Sequence, residues 1–427
     1  MVLSGNAIIV TNISPHNVNS TRWRDILSVV ETYSTAVIGG GAAGICAAIS
    51  TARRGESVVI CEKLSRLGRK ILASGDGRCN LLNDDLSESG YNPASRGLVK
   101  SVFGFFDRTA ILDFFKGLGL EVYSREGRIF PITNQAASVL KVLEMELKRL
   151  AVPVKFNFAC SGISLSPEGV LIESAGGLKV KCRKVIIAGG GKTYPAFGSD
   201  GSTYAIASRL GHTLIEPVPA AVPLIVKDGL CQLLQGQRIQ AAVRSLIGTW
   251  SGGAVRGELL FTKYGLSGTC ILDISEEISI AINRRQEKEI FIAVDMVPFL
   301  DQKQLRDELE KRRAHRWPAE EMLVGILPNK VGLALKDRLA ESDLDAVVRS
   351  LKDRRFKVSG TRGWNEAEFT SGGIAVGEID PRTLESKLCP GVFFAGEVLD
   401  VNGRRGGYNL GWAWASGLVA GLKSRRG

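Results

Sequence analysis

The sequence predicts an α/β protein whose nucleotide-binding domain is discontinuous and is interrupted by an inserted domain with β-rich and helical parts. Three observations predict this. A strand meets a glycine turn and a helix near the start of the chain, the middle changes to short β runs followed by a helical stretch, and the last 60 residues return to glycine turns. The predicted divisions are an N-terminal extension at 1–32, a first domain part at 33–203, an insertion at 204–357 and a second domain part at 358–427.

The first element is a strand, glycine turn, helix, strand and acid that follow one another within about 30 residues, as a dinucleotide-binding unit requires. Gly39 permits the turn, Gly41 leaves room for a pyrophosphate, and Gly44 lets the helix pack closely. The free N–H groups at the helix start attract phosphates. Glu62 ends the second strand, where a carboxylate can bind ribose hydroxyls. A glycine-rich turn that serves only packing is the alternative.

A polar, glycine-rich loop follows at 63–80 and carries several basic side chains. Such a loop does not pack as core, so we expect it to wrap a bound polar ligand. Helical spacing of apolar residues then predicts helices over 98–119 and 134–150, followed by short strands. A buried strand at 184–188 meets a second glycine turn at 189–191.

The predicted insertion begins with short β runs between 213 and 300 that are separated by glycines. Residues 301–355 show apolar residues at helical spacing. Residues 301–357 hold 14 Lys or Arg against 11 Asp or Glu, and the two signs are mixed along the segment. Intermixed charges of this kind are typical of solvated helix faces rather than of a nucleic-acid surface.

A second glycine-rich constellation lies near the end of the chain. A buried strand at 391–395 delivers Glu397, and a glycine turn at 403–407 opens a helix that runs to Leu422. A carboxylate and a helix N-terminus suit another polar part of the same ligand, including negative charge on an electron-accepting ring. The alternative is a buried, glycine-packed helix in which Trp412 and Trp414 are core residues.

Composition excludes several classes of protein. The eight cysteines contain no CxxC pair, which indicates reduced thiols in a cytosolic protein. The three histidines are isolated, so we predict no metal site. The net charge of +11 comes without a groove-reading or base-stacking motif, and we expect no nucleic-acid partner. No signal peptide or membrane span is predicted, so we expect a soluble, cytoplasmic protein.

Several motifs in one order resemble a bacterial family of FAD-dependent oxidoreductases that includes aminoacetone oxidase and proposed bile-acid reductases. The resemblance covers about 34–427 of the sequence. The motifs are GGGAAG at 39–44, EKxxxxGRK at 62–70, SGxGRCN at 74–80, GELLFTxYGLSG at 257–268, TSGGI at 370–374 and FAGEVLDVNGxxGGYNL at 394–410. The resemblance implies an FAD domain of the two-dinucleotide-fold type with an inserted domain, in agreement with the divisions given above.

The resemblance also implies the cofactor site. The glycine turn would bind the FAD pyrophosphate, Glu62 the adenosine ribose and Glu397 the ribityl chain, and backbone N–H groups of 407–410 would lie near the flavin pyrimidine edge. The implied FAD residues are Gly39, Gly41, Ala42, Ala43, Gly44, Glu62, Lys63, Arg69, Lys70, Ser74, Gly77, Arg78, Cys79, Asn80, Gly396, Glu397, Gly407, Tyr408, Asn409 and Leu410.

The cysteine in this set, Cys79, follows Arg78 in a basic loop, a setting that would lower its pKa. A redox-active thiol is one interpretation of this cysteine. A cofactor-lining or structural role is the other, because no second cysteine is near in sequence.

The sequence departs from the family pattern at Asp76, Lys263, Thr269 and Gly411. Lys263 lies in the predicted insertion, where an ammonium facing the substrate would favour anions, and a solvated surface lysine is the alternative. Arg404 and Arg405 are candidates for clamping an anionic substrate, and a solvent-facing turn is the alternative.

The predicted activity is hydride transfer from an amine, an alcohol or NAD(P)H to FAD, and then to oxygen or a second small-molecule substrate. Only one complete nucleotide fingerprint is present, so NAD(P)H would dock transiently. The alternative is a non-enzymatic flavin-binding sensor or partner-binding protein. The sequence leaves the catalytic residues and the oligomeric state open.

Overall fold

Two large apolar cores hold the molecule together in the computed structural model, which describes residues 30–423. The first core combines residues from both ends of the chain, such as Val37 and Val419, and the second runs from Leu224 to Val358. Tyr204, which the sequence placed in the insertion, packs in the first core. The proposed extension at 1–32 lies outside the described residues up to residue 29, and the first strand already begins at Glu31.

The strands, in chain order, are β1 (Glu31–Ile38), β2 (Val58–Cys61), β3 (Leu82–Asn83), β4 (Val122–Arg125), β5 (Arg128–Pro131), β6 (Val154–Lys155), β7 (Cys160–Ser166), β8 (Gly169–Ser174), β9 (Lys179–Ile187), β10 (Leu214–Ala220), β11 (Leu224–Val226), β12 (Arg238–Ile247), β13 (Trp250–Ser251), β14 (Val255–Thr262), β15 (Gly265–Ser267), β16 (Ile290–Asp295), β17 (Arg354–Thr361), β18 (Phe369–Ile374) and β19 (Val392–Phe394). The helices are α1 (Ala42–Ala52), α2 (Arg69–Ala73), α3 (Arg96–Phe103), α4 (Arg108–Gly117), α5 (Ala136–Arg149), α6 (Ser202–Arg209), α7 (Gly229–Leu233), α8 (Thr269–Asn283), α9 (Gln302–Ala314), α10 (Asn329–Ala334), α11 (Lys336–Leu339), α12 (Leu344–Lys352) and α13 (Tyr408–Lys423).

The central sheet of the nucleotide domain has the strand order β6-β2-β1-β9-β8-β7, and β19 also pairs with β9. The pairings of β1 with β2 and β9, of β2 with β6 and of β19 with β9 are parallel, whereas β7 and β8 are antiparallel additions. The parallel strands therefore direct their carboxyl ends to one edge, where ligands bind in open α/β sheets.

Helix α13 packs on α1 through small residues, which brings the two ends of the chain together. A Cβ at Gly417 would collide with the Ala43 carbonyl oxygen, and a Cβ at Gly421 with that of Ala47. Trp412 and Trp414 are fully buried, as the glycine-packed alternative proposed. Their indole N–H groups also donate to the backbone oxygens of Gly396 and Leu81, so the same helix fixes two loops of the site.

The inserted part closes into a barrel. Strands β12, β14, β15, β11, β17 and β16 follow one another in the sheet, and β16 pairs back with β12. Helix α8 lies against several of these strands, and the antiparallel pair β10–β18 leads into and out of this part. The second core combines side chains of these strands with side chains of the helices α9 to α12, and α12 contacts β16 and β17.

The helix predicted over 98–119 is two helices in the structure, α3 and α4. The break occurs because the Asp107 carboxylate accepts a hydrogen bond from the Ala110 N–H at 2.8 Å and starts α4 anew. No helix within residues 30–423 has the length and apolar character to span a bilayer.

Candidate functional site

A cavity of about 410 Å³ lies at the carboxyl edge of the parallel strands. Residues at the ends of β1, β2, β9 and β19 line it, namely Gly39, Glu62, Ala188 and Ala395. Its volume falls within the range of about 300–1,000 Å³ that is usual for ligand pockets. The position is the one that the strand–turn–helix pattern predicted.

The first glycine turn leaves a cradle in this cavity. Gly39 has φ +104°, which favours glycine, and a Cβ at Gly44 would collide with the Gly39 carbonyl oxygen. A Cβ at Gly41, in contrast, would meet no atom of the described residues within 4 Å. No described side chain caps the start of α1, so its first N–H groups face the cavity free to bind an anion.

The Glu62 carboxylate is fixed by two backbone groups. Its Oε2 accepts from the Gly40 N–H at 2.6 Å and its Oε1 from the Leu64 N–H at 2.8 Å, and the residue is 8 % exposed. Each oxygen keeps a second lone pair for a hydroxyl of a ligand. Glu62 therefore shapes the glycine turn in addition to lining the cavity.

Sequence reasoning missed the segment that follows the second glycine turn. The hydroxyls of Ser199 and Thr203 are buried, both residues line the cavity, and neither oxygen has a hydrogen-bond partner within residues 30–423. Buried hydroxyls without partners are costly, and these two are placed to bind polar atoms of a ligand in the cavity. The turn at 189–191 was the available signal, because it repeats the strand-to-glycine arrangement of the first turn.

Glu397, in the second glycine-rich constellation, forms hydrogen bonds with three other parts of the chain. Its Oε1 accepts from the Thr370 N–H at 2.9 Å, and its Oε2 accepts from Lys70 Nζ at 2.7 Å and the Gly191 N–H at 3.3 Å. Lys70 and Glu397 both line the cavity. The acid thus holds three separate segments in place at the cavity wall.

Residues at the start of α13 also line the cavity. Gly406 and Gly407 have φ of +106° and +102°, and a Cβ at Gly407 would collide with the Leu82 carbonyl group. With its side-chain amide turned to match its neighbours, Asn80 accepts a hydrogen bond from the Gly407 N–H at 3.2 Å and donates one to the Leu82 carbonyl oxygen at 3.0 Å. The Asn409 side chain closes the preceding turn by hydrogen bonds of 2.9 Å to both backbone groups of Gly403.

Most of the predicted FAD residues line the cavity. Those that do are Gly39, Gly41, Ala42, Ala43, Glu62, Lys63, Arg69, Lys70, Ser74, Arg78, Asn80, Gly396, Glu397, Gly407, Asn409 and Leu410. The side chain of Tyr408 points the other way and packs edge-on against Tyr91, 5.8 Å away. Gly44, Gly77 and Cys79 also lie outside the lining.

The prediction of a lowered pKa at Cys79 is wrong. The residue is fully buried, and burial raises the pKa of its thiol to about 12. The Arg78 guanidinium lies over the Phe130 ring, 5.3 Å from its centroid, so its charge is not directed at the sulfur. The structure thus removes the basis for a redox-active thiol.

The three predicted substrate residues lie in different settings. Lys263 is exposed in the turn between β14 and β15, and Arg404 is exposed; neither lines the cavity. Arg405 lines it, but its guanidinium makes a bidentate pair with Glu368, at 2.7 and 2.9 Å, and reaches Asp273 at 3.3 Å. Its charge is therefore compensated, which weakens it as an anion clamp.

The residues that line the cavity are chemically suited to binding FAD. The cradle at Gly41 offers room and free N–H groups for a pyrophosphate, and the hydroxyls of Ser199 and Thr203 lack partners. The α13 N-terminus supplies further N–H groups for a polar ring edge. The site thus has an acid, an anion cradle and a second helix start, as the two constellations predicted.

Comparisons with known proteins identify the family of this chain. The model of the HI0933-like protein Rossmann domain matches residues 33–423. The chain is 38% identical over 400 residues to the 3-dehydro-bile acid delta(4,6)-reductase of Clostridium scindens, covering 90% of this chain and 97% of that protein. It is 30% identical over 399 residues to the ribosomal RNA dihydrouridine synthase of Escherichia coli, covering 91% and 96%.

Among solved structures, the 3-ketosteroid delta1-dehydrogenase of Sterolibacterium denitrificans shares the fold. Its TM-score is 0.50 at 13% sequence identity, and the match covers 92% of this chain and 99% of that one. The family match and the two relatives span nearly the whole described chain. The protein therefore belongs to the HI0933-like Rossmann family and is an FAD-dependent oxidoreductase.

Proposed function

We propose that this enzyme reduces a carbon–carbon double bond conjugated to a carbonyl group, in a flat, largely apolar substrate that carries a negative charge. The names of both relatives describe this kind of chemistry, because a 4,6-unsaturated 3-oxo bile acid and the uracil ring each contain such a bond. NAD(P)H is the proposed electron donor. The amine and alcohol donors that the sequence also allowed serve as comparisons in the test.

The observation that carries this proposal is the character of the cavity near the α13 N-terminus. Phe130 and Phe369 give it apolar walls, and the guanidinium groups of Arg78 and Arg128 line it. Neither arginine pairs with a carboxylate among residues 30–423, in contrast to Arg405. An apolar slot with uncompensated guanidinium groups suits a flat apolar anion.

Bound FAD, once reduced, supplies a hydride. In this proposal Gly41 and the start of α1 bind its pyrophosphate, Glu62 a ribose, and Ser199 and Thr203 further polar atoms of the chain. The start of α13 faces the flavin ring, and Arg128 binds the substrate anion. The protein would thereby hold the cofactor and the substrate next to each other in one cavity.

The test is anaerobic reduction of the FAD-loaded protein with NADH, NADPH or a panel of amines, followed by addition of a 3-oxo-4,6-dienoic bile acid. We expect NAD(P)H to reduce the flavin, the bile acid to reoxidise it, and mass spectrometry to show a product two mass units heavier. A reduced flavin that no conjugated ketone reoxidises would disprove the proposal.

An arginine variant tests the recognition of the anion. Arg128→Gln should raise KM about tenfold or more for the acid, since a charge-assisted hydrogen bond contributes about 1.5–3 kcal/mol. It should leave KM unchanged for a neutral steroid ketone with the same ring system. Arg125→Gln is the matched control, because Arg125 lies on the same hairpin but is exposed, pairs with Glu126 and does not line the cavity.

Reduction of uracil in RNA is the second candidate. The relative from Escherichia coli favours it and runs against the expectation that no nucleic acid is a partner. The net charge of +11 also favours it, because basic surface attracts phosphates. A ribosomal RNA fragment offered in the same reoxidation assay distinguishes the two substrates, and the target base would have to leave its stack to reach the cavity.

A further inference from the structure

Tyr194 stands out among the residues that line the cavity. It lies between the second glycine turn and α6, and its backbone is left-handed, with φ 55° and ψ 63°. A bulky residue in this conformation is uncommon and strained, and such strain concentrates at functional sites. The Tyr194 N–H donates to the Trp364 carbonyl oxygen at 3.1 Å, which ties this loop to the segment that returns from the insertion.

The tyrosine ring is held while its hydroxyl remains available. The ring stacks on Phe197, with centroids 5.5 Å apart and planes at 18°. Arg69 covers Phe197, its guanidinium carbon 5.3 Å from the ring centroid. The residue is half-buried, and no hydrogen bond of the Tyr194 hydroxyl occurs within residues 30–423. A rigid ring with a free hydroxyl is suited to meeting a ligand.

The hydroxyl also keeps its proton at neutral pH. Burial and the charges of Glu368, Asp76 and Glu366 raise the pKa of Tyr194 above its ordinary value of 10. Glu368 and Asp76 line the cavity, and Glu368 pairs with Arg405 just before the start of α13. Tyr194 therefore belongs to the end of the cavity where the flavin ring is proposed to lie.

The other described groups that line the cavity are poorer acids for this end. Burial raises the pKa of the Cys61 thiol to about 12 and that of the Cys160 thiol to about 11. Lys63 pairs with Asp200 at 2.7 Å, and Lys70 pairs with Glu397. The remaining candidates are carboxyl groups, guanidinium groups and aliphatic hydroxyls, and the last two hold their protons more tightly than a phenol does.

We propose that Tyr194 is the catalytic acid that protonates the substrate α carbon, an inference that rests on the proposed reduction of a conjugated double bond. Reduced FAD, when bound, would supply a hydride to the substrate β carbon, and the π bond between the α and β carbons would break. Its electron pair forms an enolate with the carbonyl group. The α carbon then takes the Tyr194 proton, the carbonyl is restored, and the tyrosinate regains a proton from water.

Tyr194→Phe tests this assignment without removing an intramolecular hydrogen bond, because the hydroxyl has no partner among the described residues. We expect the variant to bind FAD with wild-type affinity, measured by titration of the apoprotein, and to be reduced by NAD(P)H at the wild-type rate. Reoxidation by the 3-oxo-4,6-dienoic bile acid should slow about 10²-fold or more, the usual contribution of a general acid. Tyr264→Phe, at a tyrosine that packs against Arg362 outside the cavity, is the matched control and should change nothing.

The pH profile and the isotope pattern separate an acid from a structural residue. Wild-type reoxidation should be flat between about pH 6 and 9, because the hydroxyl stays protonated there. The residual rate of Tyr194→Phe should rise as the pH falls, since protons would come from solvent. In D₂O the wild-type product should carry one deuterium at the α carbon on a single face, and the variant product should carry it on both faces.

Two outcomes distinguish the inference from the function on which it rests. If the wild-type enzyme is not reoxidised by any conjugated ketone or uracil compound, the proposed function fails. If the wild-type enzyme is reoxidised and Tyr194→Phe matches it in rate, pH profile and deuterium placement, the assignment of Tyr194 is wrong while the proposed function stands.

Discussion

Lys70 Nζ lies 2.7 Å from Glu397 Oε2, although 327 residues separate the two positions in the chain. The lysine lies in α2, a short helix within the segment 63–80 that the sequence predicted as a loop, and the acid follows β19. Sequence reasoning directed both side chains at the cofactor, whereas the structure pairs them with each other. The pair thus joins the two parts of the discontinuous domain at the wall of the cofactor cavity.

Replacing one partner of this pair should destabilise the protein more than replacing both. Lys70→Met leaves the Glu397 carboxylate partly buried without its cation, which should lower the free energy of unfolding by about 1–3 kcal/mol. Glu397→Gln in the same chain should recover part of that loss. Urea denaturation of the apoprotein for the two single variants and the double variant measures the coupling.

The exposed pair of Arg108 and Asp84 provides the comparison. These side chains are 40 % and 38 % exposed, against 29 % and 20 % for Lys70 and Glu397. The coupling energy between Arg108 and Asp84 should be under about 1 kcal/mol, as is usual for surface pairs. Equal coupling energies for the two pairs would contradict the special role given to Lys70 and Glu397.

Gly41→Val should abolish FAD binding and leave the folded apoprotein nearly as stable as the wild type. The new side chain would occupy the empty cradle, because no described atom lies within 4 Å of a Cβ at this position. The backbone of Gly41, with φ −87°, suits any residue. The free energy of unfolding should change by less than about 0.5 kcal/mol. FAD titration of the apoprotein and urea denaturation check the two parts separately.

Gly44→Ala serves as the contrast, because its Cβ would collide with the Gly39 carbonyl oxygen. That variant should lose about 1–3 kcal/mol of stability, as forced overpacking does. Wild-type FAD affinity in Gly41→Val would show that the pyrophosphate binds elsewhere.

The sequence predicted the parts of the site that are local in the chain. Gly39, Gly41 and Glu62 fall within one strand–turn–helix–strand unit, so their spacing alone places them together. The hydroxyls of Ser199 and Thr203 reach the cavity only through the path of the loop after β9, which no spacing rule describes. Arg405 pairs with Glu368 and Asp273, which come from other segments of the chain. No local sequence pattern indicated these two ion pairs.

Cys79 illustrates how sequence neighbours can mislead. Arg78 is exposed and Cys79 is buried, because the backbone at Cys79 is left-handed, with φ 60°, and turns the two side chains to different sides. An adjacent charge in the sequence therefore says little about the environment of a side chain when the turn between them is unusual.

Cys79 should resist alkylation in the folded protein. Burial raises the pKa of its thiol to about 12, so little thiolate forms at pH 8, and the side chain is inaccessible. Cys160 and Cys389 are partly exposed and should react first with iodoacetamide. Peptide mapping before and after unfolding measures this order, and early labelling of Cys79 in the native protein would contradict its burial.

Protonation of His212 should destabilise the fold as the pH falls. The side chain is fully buried, with Nδ1 3.1 Å from Glu378 Oε2 and Nε2 2.9 Å from Ser386 Oγ. Burial lowers the pKa of His212, although Glu378 opposes this shift. Below about pH 6.5 the unfolded chain therefore binds a proton that the folded protein does not, and the free energy of unfolding decreases.

Protonation of Glu378 affects stability at a lower pH than protonation of His212 does. Burial alone would raise the pKa of Glu378, yet hydrogen bonds from Thr213 and His212 bring it below 4.5, so its contribution is lost only at lower pH. Urea denaturation between pH 7.5 and 5.5 should thus show a loss of stability in the wild type that His212→Gln reduces. His315→Gln, at an exposed histidine whose Nδ1 contacts the Lys311 carbonyl oxygen, should keep the wild-type slope. An unchanged slope in His212→Gln would mean that His212 does not titrate differently in the folded and unfolded states.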